Sequence, residues 1–161
     1  MTAMLEWLES SSLGAIARES LYGFQILVAI HLIALGLSIG MLLWVDMRML
    51  GLCLTDQKLS VTYRALARWF IVGFSIMFLS GFALFSGFAT SAAANPYFRL
   101  KLAVIVLAGI NALVFHRLIA RAPAQVDAGT PTGMIRMAGL LSILFWTVVI
   151  LCGRMLSYTL F

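Results

Sequence analysis

The sequence predicts an all-α membrane protein: four transmembrane helices in one bundle, preceded by an N-terminal interfacial helix. Hydrophobic residues make up 63% of the 161 and charged residues 11%, and the mean hydropathy is +1.05. That composition leaves too little polar surface to cover a soluble globule. Four apolar segments recur along the chain: Leu21–Trp44, Trp69–Thr90, Leu102–Phe115 with its flanks, and Met137–Leu156. About 20 apolar residues, rising ~1.5 Å each, cross ~30 Å of hydrocarbon as helix. Between these segments the chain is short and punctuated, with no internal repeat and no room for a second domain, so residues 1–161 are expected to form a single domain.

The first twenty residues are apolar without being a cleaved export signal. No Lys or Arg precedes Arg18, and Glu6, Glu9 and Trp7 interrupt the apolar positions, so the N-terminus is expected to be retained. Leu5, Leu8, Leu13 and Ile16 suit a short helix or two on the membrane surface over about residues 3–19. The first span is placed at about 21–46 and carries no formal charge from Leu21 to Trp44. The second runs from about 66 to 90. Asn95-Pro96 marks the turn before the third, at about 97–119, which reaches spanning length if Lys101 snorkels to the interface. Thr130-Pro131 reads as an N-cap with proline at the first helical position of the fourth, at about 132–158, after the loop-like stretch Ala122–Gly133 with Pro123 and Gly129.

Basic residues set the expected orientation. Arg48, Lys58, Arg64, Arg68, Arg117, Arg121 and Arg136 flank the first and third loops, against Arg18, Arg99, Lys101 and Arg154 on the other side. The positive-inside rule then puts both termini in the periplasm of a bacterial inner membrane. The net charge of +5 is spread over helix ends without an aromatic-studded soluble face, so no nucleic-acid partner is implied.

Within the first span stands His31. An ionisable group at hydrocarbon depth costs several kcal/mol unless it is partnered, which makes it a functional residue by default. Counting along the helices places Ser80 and Gly81, Gly109 to Asn111, and Trp146 to Thr147 at its level. Glycines on the first two spans, Gly36, Gly40, Gly73, Gly81 and Gly87, either let helices approach closely or open a slot for a flat macrocycle with His31 as the axial ligand of its iron. His116 falls nearer the cytoplasmic boundary, next to Arg117, and reads as an interfacial histidine or as a second ligand only if the helices tilt strongly. Lys101 and Arg154, at the outer ends of their spans, either anchor in headgroups or pair with the propionates of a haem.

Other chemistry is thinly represented. Glu6, Glu9 and Glu19 precede the first span, and Asp46, Asp56 and Asp127 are placed in or beside cytoplasmic loops, so neither a buried acid pair nor a midplane carboxylate for coupled transport is expected. Met41, Met47, Met49, Met134 and Met137 are soft enough for Cu(I) but show no repeating spacing, and copper handling ranks below haem. Cys53 and Cys152 are set at opposite ends of the bundle, too far apart for a disulfide.

Ser11-Ser12-Leu13-Gly14-Ala15-Ile16-Ala17-Arg18-Glu19-Ser20-Leu21-Tyr22, the His31 helix ending Trp44-Val45-Asp46-Met47-Arg48, and Asn95-Pro96-Tyr97-Phe98-Arg99-Leu100-Lys101 leading to Asn111 and His116-Arg117 resemble an uncharacterised family of small bacterial four-helix membrane proteins. A looser resemblance, carried by His31, Gly40, Arg48 and Lys101, is to HemJ-type protoporphyrinogen oxidases and CopD-type copper-resistance proteins. In the HemJ-type pattern the third-span histidine stands nearer the lysine than His116 does, and Asn111 occupies that region here. The resemblance implies haem b with His31 and Lys101 at its site, and the reading of depth and helix ends adds Asn111, Arg154 and His116 as further candidates to hold it. Two expectations follow. One is a haem-dependent membrane oxidoreductase or electron carrier with a quinone or periplasmic partner. The other is an accessory subunit of a membrane complex or homo-oligomer, without cofactor, whose His31 is satisfied by Asn111 or Thr147.

Overall fold

A computed structural model describes residues 2–20, 22–121, 126–127 and 131–160. The helices are α1 (Thr2–Ser10), α2 (Ser12–Glu19), α3 (Gly23–Leu50), α4 (Leu59–Gly87), α5 (Ala89–Ala94), α6 (Pro96–Arg121) and α7 (Gly133–Leu160). Leu21, expected to open the first span, and Pro123, Gly129 and Thr130 of the last loop lie outside the described residues.

Four helices are long and apolar enough to cross a membrane, and the chain is a multi-pass membrane protein. The longest has 29 residues, about 44 Å at ~1.5 Å per residue, so its ends overhang the ~30 Å of hydrocarbon. That overhang explains why α4 starts at Leu59, well before the apolar segment: Arg64 and Arg68 ride on its first turns. It also explains why α3 runs on to Leu50. Gly51, at φ 78°, then closes α3: its N–H reaches the Arg48 carbonyl at 3.1 Å, and the Leu52 N–H reaches Met47 at 3.0 Å. This left-handed stop is cheap only for glycine.

The interfacial segment is two helices broken at Ser11, whose Oγ accepts from the Gly14 N–H at 3.2 Å. It does more than float on a surface. Ala17 is fully buried, and a Cβ on Gly87 would meet the Ala17 Cβ at 3.0 Å, so α2 is clasped against the end of α4. Beyond Phe88 the chain breaks into α5, so the second span ends at Gly87, short of the expected 90.

Two remote carboxylates finish helices whose own N-caps make no side-chain bond. Glu9 Oε1 accepts from the Thr90 N–H at 2.8 Å and the Thr90 hydroxyl at 2.7 Å, capping α5 from α1. Asp127 accepts from the Ser60 N–H at 2.9 Å and the Ser60 hydroxyl at 2.7 Å, capping α4 from the last loop. Each satisfies an orphan amide and places negative charge at a positive helix end. The Thr90 bonds, with Arg18 adding its charge, hold the Glu9 carboxyl below the usual range. At Asp127 desolvation pushes upward, but the Ser60 bonds and the charges of Lys58 and Arg64 outweigh it, and the net shift is downward.

Around the bundle, α4 packs along α3, α3 along α7, and α7 along α6. The fourth seam, α4 against α6, is bridged by large side chains instead of close backbone. Phe85 stacks on Phe98 at 4.9 Å toward the end that carries the termini, and Tyr63 meets Phe115 at 5.7 Å toward the loop end. Two apolar clusters fill the axis. One holds Ala34, Met77, Val104, Ala108, Trp146 and Val149; the other, nearer the loops, is built on Val45, Met49, Leu59, Phe115 and Ile135.

Candidate functional site

In the half nearer the termini, α3 turns His31 toward α4. Its Nδ1 lies 3.1 Å from Ser80 Oγ. The Ser80 hydroxyl is also 2.7 Å from the Ile76 carbonyl, which can only accept, so the hydroxyl proton goes there and Oγ accepts the Nδ1–H of His31. Nε2 is then the ring nitrogen with the lone pair. The imidazole lies over Gly81, where a Cβ would come within 3.0 Å of Cε1. Gly81 and Ser80 therefore act together, one as floor and one as acceptor. On the far side Lys101 brings its Nζ to within 3.4 Å of where a Gly153 Cβ would stand.

Depth counting found Ser80 and Gly81 correctly and failed for the other two helices. Asn111 donates from Nδ2 to the Ala138 carbonyl at 2.9 Å, and Thr147 donates to Ile143 on its own helix at 2.8 Å, so neither partners His31. The counts took each span to start at the membrane edge, whereas the helix ends overhang unequally. Gly36 and Gly40 have open space around an added Cβ, so close approach uses other residues: Gly73 against Ser38, and Gly139 against Met49 and the Asp46 carbonyl.

The loop half holds what the sequence reading missed. Asp46, placed there beside a loop, is 3% exposed inside α3 and hydrogen-bonded by Ser142 of α7. It lines a cavity of about 330 Å³ whose other walls are almost wholly apolar, with Tyr63, Phe74, Phe115 and Trp146 among them and Asn111 as a further polar group. Phe78, 64% exposed, and the exposed Gly109 also line it, so the cavity reaches the outer surface of the bundle along the α4–α6 seam. The signal in the sequence is that Met47, Met49 and Leu50 carry the helix past Asp46 to the Gly51 stop, so the carboxylate lies within α3 instead of ending the span. Arg48, equally buried at 3%, does not neutralise Asp46: its Nε and a terminal nitrogen both donate to the Gln57 carbonyl, at 2.9 and 2.7 Å, and tie down the first loop.

Of the five residues expected to hold a haem, His31 and Lys101 lie close enough for the Lys101 charge to act on the imidazole, and the other three lie elsewhere. Lys101 reaches Gly153 inside the bundle, while Arg154, one position on, is exposed. Asn111 belongs to the Asp46 cavity. His116 is exposed, with Nδ1 3.1 Å from the Tyr63 hydroxyl, and borders a second cavity of about 300 Å³ with Ser60 and Arg64. Neither cavity is lined by His31, and one turn along the axis the interior is filled by Ala34, Met77, Val104 and Val149. His31 offers a ring nitrogen beside an interior that is filled, one turn away, by apolar side chains. Among the described residues no three His, Cys, Asp or Glu side chains gather, and Cys53 and Cys152 are free thiols.

No curated protein and no solved structure matches the chain. A family model does, over residues 4–159, from the interfacial helices to the last turn of α7. Its description gives no activity, which agrees with the resemblance to an uncharacterised family of small membrane proteins. The chain belongs to the family of unknown function DUF6644.

Proposed function

We propose that this protein is an intramembrane binding protein for a small amphipathic molecule that enters from the bilayer between α4 and α6. One observation carries the reading: a buried carboxylate, Asp46, opens onto an otherwise apolar cavity of about 330 Å³ that reaches the bundle surface at Phe78 and Gly109. Small-molecule sites have this character, an apolar container of ~300 Å³ or more with a few polar groups that orient the guest. A charged residue inside a span costs about 3 kcal/mol on insertion scales, so its presence asks for a role. The asymmetry of basic residues supports a bacterial inner membrane with both termini periplasmic.

Trp146 lines the cavity and reports on it once Trp7, Trp44 and Trp69 are replaced by Phe. In lipid nanodiscs, 4-bromobenzyl alcohol is expected to quench Trp146 saturably above the linear background of lipid partitioning. Gly109→Leu, which adds its side chain where a Cβ meets nothing within 4 Å, should remove the saturable component and leave helix content unchanged. Quenching that stays linear in both proteins refutes the reading.

A second reading, a b-type haem on His31 serving electron transfer with a quinone or periplasmic partner, is favoured by an imidazole within a span with the Lys101 charge near it. Protein purified anaerobically and reduced with dithionite would then show a b-type α-band, lost in His31→Ala and kept in His116→Ala. A colourless preparation after haem supplementation removes it.

A further inference from the structure

One wall of the cavity carries the Asp46 carboxyl, and no protein cation stands against it. Among the described residues the single ion pair is Arg18–Glu19 at the surface, and Arg48 spends its guanidinium on the Gln57 carbonyl. Ser142 supplies one hydrogen bond to Asp46, whereas a carboxylate has roughly four lone-pair directions to satisfy. The remaining walls are strongly aromatic: Tyr63, Phe70, Phe74, Phe78, Phe115 and Trp146 line the same space. Phe74 and Trp146 hold each other edge-on at 4.8 Å, and Tyr63 and Phe115 do the same at 5.7 Å.

Aromatic faces attract cations, and the attraction grows when water is excluded. A buried carboxylate that has a hydrogen-bond donor but no counter-charge is costly to ionise, and a ligand that brings the positive charge recovers that cost on binding. A neutral guest gains only apolar contact, and an anion brings no counter-charge to the carboxyl. We infer that the Asp46 cavity is a site for an organic monocation, a substituted ammonium with apolar arms, seated between the aromatic side chains with its charge toward Asp46. This rests on the binding reading above and adds the charge of the ligand to it. An inorganic cation would fit poorly, because Asp46, Ser142 and Asn111 are too few oxygen donors to replace a hydration shell.

The test compares 4-bromobenzyltrimethylammonium with its uncharged isostere 1-bromo-4-neopentylbenzene, using Trp146 quenching of the full chain in nanodiscs. The cation is expected to saturate at a concentration at least about tenfold lower than the isostere. Asp46→Asn should abolish that preference while the isostere still binds. Should the replacement prevent folding, the ratio measured on the unsubstituted carboxylate decides by itself. Equal binding of cation and isostere overturns the cation inference and leaves the cavity reading standing. No saturable quenching by either overturns both.

Discussion

Replacing Gly14 by alanine tests whether the N-terminal helices are part of the bundle or merely lie beside it. A Cβ at this position would stand 2.5 Å from the Glu9 carbonyl oxygen, 2.8 Å from that of Leu8 and 2.9 Å from that of Ser86. All three obstacles are backbone, so none can swing away as a flexible side chain would. Relief requires α2 to move off both α1 and the end of α4. Overpacking of this kind costs typically ~1–3 kcal/mol, and with three fixed contacts the upper half of that range applies. Alanine in place of glycine returns ~0.5–1 kcal/mol of helix propensity. The net expectation is a loss of about 1–2.5 kcal/mol, concentrated at one end of the molecule. Gly36→Ala is the control: it gains the same propensity and its Cβ meets nothing within 4 Å. Both variants are measured by reversible unfolding in mixed micelles, with amide exchange followed through residues 86–94. Gly14→Ala should unfold at lower denaturant and lose protection at the Thr90 amide, which Glu9 holds at 2.8 Å; Gly36→Ala should be neutral or slightly stabilised. Equal stability of the two, with α5 protected in both, would refute the clasp.

Two further outcomes follow from the capping carboxylate and the half-buried imidazole. Because Thr90 holds Glu9 below its ordinary value of 4.5, the cap's contribution is complete above that pH and is lost as pH falls through the lowered value; protection of the α5 amides should weaken in that acid window, and Glu9→Gln should flatten the pH dependence. Ser80→Ala removes one of two hydrogen-bond partners of the His31 ring, the Met77 backbone being the other; nitrogen NMR of the ring should change from a single Nδ1–H tautomer toward a mixture, and an unchanged spectrum would mean that Ser80 does not set the tautomer.

The sequence by itself determined that this chain crosses the membrane as four helices, because composition and the length of apolar runs follow from the thickness and polarity of a bilayer, and each helix satisfies its own backbone. It also picked out His31 as an ionisable group within a span, with Ser80 and Gly81 at its depth on the neighbouring helix. What it left open were the relations that depend on how helix ends overhang and in which direction side chains face. Asp46 was legible as a carboxylate near the end of an apolar run; only the packing of α3 against α7, made close by Gly139, turns it inward to Ser142 and the cavity. Asn111 and Lys101 were legible as polar residues on the third span, but helix register decided which half of the bundle each serves. The caps that Glu9 and Asp127 provide join residues 81 and 67 positions apart, and no local pattern encodes such a pairing. Apolar periodicity reports burial in lipid and burial in protein alike, so the seam between α4 and α6, and the space it encloses, exist only in the assembled bundle.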